Sequence, residues 1–216
     1  LLETAEKDAR MRFDKIILGS RSPRRIELLS QLIPESAIRV IPPLNSEEAG
    51  FEQLFDLESI SDRLISICTA KNNDVFQQVN PESADPILTA DTIVVVEGEP
   101  SGHRVLGQPP VGLGWEQTVR NWFVDDYAGK THQVLTGLCF RTEDRVITEI
   151  LSTLVTFHEI EYVNKHLNWY LSTQESVGKA GGYAVQGLGS IFVKRIEGSL
   201  SNVVGLPLEI VSGLLL

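Results

Sequence analysis

The sequence is poor in cysteine, in long apolar runs and in positive charge, and each shortage removes a class of protein. Cys68 and Cys139 are the only two cysteines in 216 residues, each inside an apolar stretch. A disulfide framework is therefore excluded, and buried, reduced thiols are expected. No apolar run approaches the ~20 residues needed to cross a bilayer, and residues 1–12 are charged where a signal peptide needs an apolar core. The expected setting is the cytoplasm, with no membrane partner. The 19 Lys and Arg are outnumbered by 29 Asp and Glu, a formal net charge of −10. Long nucleic acids are bound through many Lys and Arg contacts to phosphates, so no such partner is expected, whereas one small polyanion needs only a local basic cluster. Missing too are a Walker-type loop, a G-x-S-x-G elbow, an H-E-x-x-H pair and a C-x-x-C pair. The histidines His103, His132, His158 and His166 are scattered and read as structural or surface residues.

What remains is the composition of a globular protein, 42% hydrophobic and 22% charged. The length suits one domain with a cleft, expected over residues 13–216, with residues 1–12 as an N-terminal extension. The chain starts at Leu1 rather than Met, which leaves room for a longer parent protein. Lys15 to Leu18 reads as a strand, followed by a turn into a helix with Ile26, Leu29 and Ile33 on one face. Ile38 to Ile41 is a second short strand, and Asn45 to Gly50 a polar loop carrying Glu47 and Glu48. Ile60, Leu64, Ile67, Lys71 and Val75 share a helical face, while Ile87 to Val96 is the near-continuous apolar run of a strand covered on both faces. Gly98 to Gly114 reads as loop, Trp115 to Tyr127 as helix, and His132 to Arg141 with Arg145 to Phe157 as an antiparallel hairpin. A helix marked by Ile160, Val163, Leu167 and Leu171, a Gly-rich stretch from Gly178 to Gly189, a strand at Ser190 to Ile196 and a helical tail from Pro207 complete the chain. Helix crossovers mixed with hairpins predict an α/β protein built on a mixed β-sheet with flanking helices.

Three features carry chemistry. Ser20-Arg21-Ser22-Pro23-Arg24-Arg25 joins strand to helix, with Ser22 placed to cap and Pro23 at the first helical position. Free N–H groups there attract anions, and Arg24 and Arg25 oppose the helix dipole. A phosphate would remove that conflict; a solvated basic helix start or a phosphorylation segment is the alternative. Asp91 interrupts the apolar run, and a carboxylate there is costly unless paired, protonated or metal-bound. It reads as a general base or Mg²⁺ ligand, or else as the cap of a neighbouring turn. Lys71 places an ammonium on an apolar helix face, where it either snorkels or meets an anion. Gly187-Leu188-Gly189 alone reads as a tight turn.

Together these segments resemble the Maf family of nucleotide pyrophosphatases, from G-S-R-S-P-R-R-x-E-L-L through A-D-T-I-V-V to K-A-G-G-Y-A-V-Q-G-L-G and N-V-V-G-L-P-L, over about Ile16 to Leu208. The resemblance implies an elongated, two-lobed fold with a central cleft, related to the inosine triphosphate pyrophosphatases. It implies cleavage of a nucleoside triphosphate to monophosphate and pyrophosphate with a divalent metal, usually Mg²⁺, with Mn²⁺ as the alternative. Asp91 matches the family's proton acceptor, Glu48 and Lys71 further catalytic positions, and Glu48 with Asp91 the implied metal ligands. Ser20, Arg24 and Arg25 match the phosphate-binding start, and Lys179 a substrate-binding position. Arg25, Thr92 and Gln186 match the trio of the branch acting on dTTP and UTP. Two departures stand out: Gln108 occupies a position where the family usually has lysine, and Gly178 one where it usually has aspartate. They motivate the alternative of a nucleotide-binding regulator, related to cell division, whose catalysis is weak or lost. A homodimer is compatible with either.

Overall fold

The computed structural model describes residues 12–45, 49–79, 84–98 and 101–216. Seven strands form one mixed sheet: β1 (Ile16–Leu18), β2 (Ile38–Val40), β3 (Ile87–Glu97), β4 (His103–Leu106), β5 (Thr131–Arg141), β6 (Val146–Phe157) and β7 (Val193–Glu197). Their order is β2-β1-β3-β5-β6-β7, with β4 also on β3. β1 runs parallel to β2 and β3, and every other pairing is antiparallel. Helices α1 (Pro23–Ser30), α2 (Leu57–Gln78), α3 (Trp115–Asn121), α4 (Ile160–Ser172), α5 (Leu200–Val204) and α6 (Leu208–Leu215) flank it. Among the described residues no helix is long and apolar enough to cross a membrane.

The architecture follows from β3. Its period of two sends Ile93 and Val95 to one face, where they pack with Ile60 and Leu64 of α2 and Leu135 of β5. Leu88 and Ala90 go to the other, against Leu28 and Leu29 of α1 and Val211 and Leu215 of α6. Further along, Val94 and Val96 join Phe123, Phe157, Tyr170 and Phe192 in a third cluster. Each fully buried Leu, Ile or Phe contributes about 1.5–3 kcal/mol relative to exposure, which is why a strand sandwiched this way reads as a continuous apolar run. Polar contacts then fix α2 along β3. Thr89 Oγ1 donates to Cys68 O at 2.8 Å, and Asn72 Nδ2 donates to Ile87 O and Cys139 O at 3.1 and 3.2 Å.

One feature of β3 creates the cleft. Along one edge, Ile87 and Leu88 pair with β1 and Val94 to Glu97 with β4. Among the described residues no strand covers positions 89–93 on that side. A gap where neighbouring strands diverge is the usual place for a ligand crevice in an open α/β sheet.

Several local expectations are corrected. The Gly98 to Gly114 loop contains β4, because His103 to Leu106 completes the far half of β3 although Gly and Pro surround it. The strand expected from Ser190 begins at Val193, preceded by a 3₁₀ turn at Leu188–Phe192. The helix from Trp115 passes into a π-helical turn at Trp122–Tyr127. Ser22 occupies the N-cap position of α1 without a capping side chain; its N–H instead donates to Ser20 Oγ at 3.1 Å.

Candidate active site

The cleft encloses about 560 Å³ and is lined by Arg24, Arg25, Asp91, Thr92, Gln108, Lys179 and Gln186, among others. Asp91 and Thr92 are sequence neighbours and point to opposite faces of β3, yet both line it, as the open edge allows. On the α2 face, Lys71 Nζ donates to Asp91 Oδ1 at 2.9 Å, and the two side chains are only 16% and 18% exposed. The lysine on the apolar helix face thus meets the carboxylate in the apolar strand, each resolving the other's burial cost.

On the opposite face, Arg25 is tied down by three hydrogen bonds: Nε to Gly205 O at 2.8 Å, one terminal nitrogen to Thr92 Oγ1 at 3.2 Å and the other to Ser20 Oγ at 3.4 Å. Thr92 Oγ1 lies 2.9 Å from Thr136 Oγ1, which donates to Asn202 O at 3.1 Å. The arginine can only donate and Thr136 spends its proton on Asn202, so the Thr92 hydroxyl donates to Thr136. The relay is one-directional and ends on the backbone of α5. Gly205 has φ +127°, a conformation open to glycine, and this backbone turns its carbonyl to Arg25. Ser20 itself is buried under the cleft wall at 3% exposure, bracing the turn into α1.

The third wall is the segment from Lys179. Tyr127 OH and Tyr170 OH, both buried, donate to Gly181 O and Gly182 O at 2.9 and 3.0 Å, and Gly181 N–H donates to Gly107 O at 2.9 Å. Burial, chiefly, lowers the pKa of Arg24, with Arg25 adding to the effect, and burial likewise lowers that of Lys179, with Arg24 adding to it. The cleft therefore gathers positive charge at a cost that an anion would remove. Asp91 is the acidic group among the described lining residues, and no cluster of three or more His, Cys, Asp or Glu that could hold a metal occurs among the described residues. A lone carboxylate facing a basic cleft fits a divalent cation shared between that carboxylate and substrate phosphates. Glu48, the other expected ligand, lies outside the described residues.

Residues 15–216 match the Maf-like protein family. The chain belongs to it. A dTTP/UTP pyrophosphatase of Pyrococcus furiosus is 36% identical over 197 residues, covering 91% of this chain and 92% of the relative. Proteins of the same description from Caldicellulosiruptor bescii and Bacillus cereus are each 34% identical, over 197 and 195 residues, covering 90% of this chain and 89% and 91% of the relatives. This Maf-like chain carries Gln108 on the cleft wall and Gly178 at φ +71° beside Lys179. The contributions of Gly205, Thr136 and Asn202 were not legible as site features. The one signal for Asn202 and Gly205 is the N-V-V-G-L-P-L segment, which has no chemistry of its own, and Thr136 has none.

Proposed function

We propose that this chain is a nucleoside triphosphate pyrophosphatase that hydrolyses dTTP and UTP to the monophosphate and pyrophosphate. The observation that carries the reading is Asp91, held by Lys71 at 2.9 Å at the open edge of β3 and facing a cleft lined by Arg24, Arg25 and Lys179. Arg24, Arg25 and Lys179 hold the phosphates, and Ser20 keeps Arg25 and the turn before α1 in place. Lys71 occupies Oδ1 of Asp91, and Oδ2 is the oxygen assigned to the attacking water. Asp91 takes a proton from that water as its oxygen bonds to the α-phosphorus; the α–β bridging bond breaks, and pyrophosphate leaves with the electron pair. Positive groups already placed around the departing charge lower the barrier without reorganisation. Asp91, with Glu48, would hold Mg²⁺ or Mn²⁺, which when bound polarises the phosphoryl oxygens and neutralises developing charge. Thr92 orients Arg25, and Gln186, whose amide both donates and accepts, reads the pyrimidine edge. A cytoplasmic setting accords with two buried free thiols.

A second reading is favoured by Gln108, which puts a neutral amide on the cleft wall where the family resemblance leads one to expect lysine: a nucleotide-binding regulator with little turnover. Pyrophosphate release from dTTP, UTP, CTP, GTP, 7-methyl-GTP and ITP, with and without Mg²⁺ or Mn²⁺, separates the two. Metal-dependent release led by dTTP or UTP is expected. Nucleotide binding without release would replace the enzyme reading by the regulator.

A further inference from the structure

Gly187-Leu188-Gly189 follows Gln186 directly, and its structure is unlike an ordinary surface turn. The carboxylate of Glu175 reaches across to it and accepts the Leu188 N–H at 2.8 Å on Oε2 and the Gly189 N–H at 3.0 Å on Oε1. A Cβ on Gly187 would lie 2.6 and 2.7 Å from the two carboxylate oxygens, so glycine at 187 is what admits the side chain. A Cβ on Gly189 would lie 3.0 Å from Tyr183 Cβ and 3.1 Å from Ala184 N, so the far side of the turn is tightly packed as well. Two charge-assisted hydrogen bonds from consecutive amides fix both the position and the tilt of a backbone segment. The main chain of residue 175 also accepts a hydrogen bond from Lys179 Nζ. One residue outside the cleft lining thus holds Lys179, which lines it, and the turn that directly follows Gln186, which also lines it.

We propose that Glu175 is the positioning residue for nucleotide discrimination: by clamping the amides that follow Gln186, it fixes the side chain that reads the base. The proposal rests on the assignment of Gln186 to the base edge made above. Its charge has a separate effect, because the Glu175 carboxylate opposes the lowering of the Arg24 and Lys179 pKa values. The two effects leave different signatures. Removing the negative charge alone makes the cleft more positive and tightens every triphosphate alike, whereas releasing the turn weakens the pyrimidine nucleotides selectively.

The test uses four variants: Glu175→Gln, Gly187→Ala, Gln186→Ala and the double variant Glu175→Gln/Gln186→Ala. Each is assayed for kcat and KM on dTTP and GTP, with urea unfolding as the control for stability. Glutamine keeps the size of Glu175 but replaces one acceptor by an NH₂ group, and Gly187→Ala displaces the carboxylate sterically while keeping its charge. Both are expected to lower the dTTP-to-GTP ratio of kcat/KM about tenfold, mainly through KM for dTTP, as loss of one charge-assisted contact implies. In the Gln186→Ala background Glu175→Gln is expected to change that ratio no further, which a merely structural role would not produce. An unchanged ratio in Glu175→Gln and Gly187→Ala while Gln186→Ala loses it, a uniform KM change across nucleotides, or multiplicative effects in the double variant would each overturn the role of Glu175. An unchanged ratio in Gln186→Ala would instead sink the base assignment, and the clamp proposal with it. Gly187→Ala keeps the test decisive if Glu175→Gln fails to fold.

Discussion

Replacing Asp91 by Asn removes one charge and almost no volume, so stability and chemistry can be told apart. Lys71 keeps an acceptor in the amide oxygen, but its ammonium, in a pair whose side chains are 16% and 18% exposed, loses the opposite charge 2.9 Å away. Hydrogen bonds to charged groups are worth about 1.5–3 kcal/mol net, so the variant should lose roughly 1–3 kcal/mol of folding stability. Against the ~5–15 kcal/mol typical of a domain, it stays folded. A missing general base costs about 10²–10⁴ in rate, or roughly 3–5 kcal/mol of barrier. The expected result is a urea midpoint moderately below wild type together with a kcat for dTTP lower by about that factor. Both are measurable on one preparation, by fluorescence in urea and by pyrophosphate release under saturating Mg²⁺ and substrate. A folded variant with kcat within about threefold of wild type would refute the role of Asp91, since so small a loss is under ~1 kcal/mol of barrier.

Two further expectations come from groups that never touch substrate. Thr136→Val removes the buried hydroxyl between Thr92 and Asn202 O; leaving those partners unsatisfied should cost about 1–3 kcal/mol in urea unfolding. Loosening Arg25 should also raise KM for dTTP more than it lowers kcat, and an unchanged KM would show that the relay does not hold the arginine. His132 is 2% exposed, its Nε2 is 2.7 Å from Tyr183 OH, and burial lowers its pKa from 6.5 to about 3. The folded state therefore takes up this proton later than the unfolded chain as the pH falls. Stability from this group is complete above pH 6.5 and is lost between there and about 3, at up to about 1.4 kcal/mol per pH unit. Urea midpoints from pH 7 to 4 should show that slope flattened in His132→Phe; equal slopes in the two proteins would exclude His132 as its source.

Strands and helices whose apolar period is long and clean were legible in the sequence. Ile87 to Val96, the hairpin after His132 and the face running from Ile60 to Val75 declare themselves because burial on a fixed geometry repeats at a fixed interval. The sequence also marked Asp91, Lys71 and the Ser20 to Arg25 turn, since a charge on an apolar face needs a partner. The identity of that partner was a tertiary matter: Lys71 meets Asp91 because apolar packing and the contacts of Thr89 and Asn72 together seat α2 along β3. β4 could not be read from its four residues among Gly and Pro, because its pairing surface is supplied by β3. The contact of Arg25 with Gly205, across 180 positions of sequence, and the clamp of Glu175 on the turn after Gln186 depend on backbone groups. Every residue carries such groups, so no residue type announces them, and only the fold decides which carbonyl or amide a side chain will find.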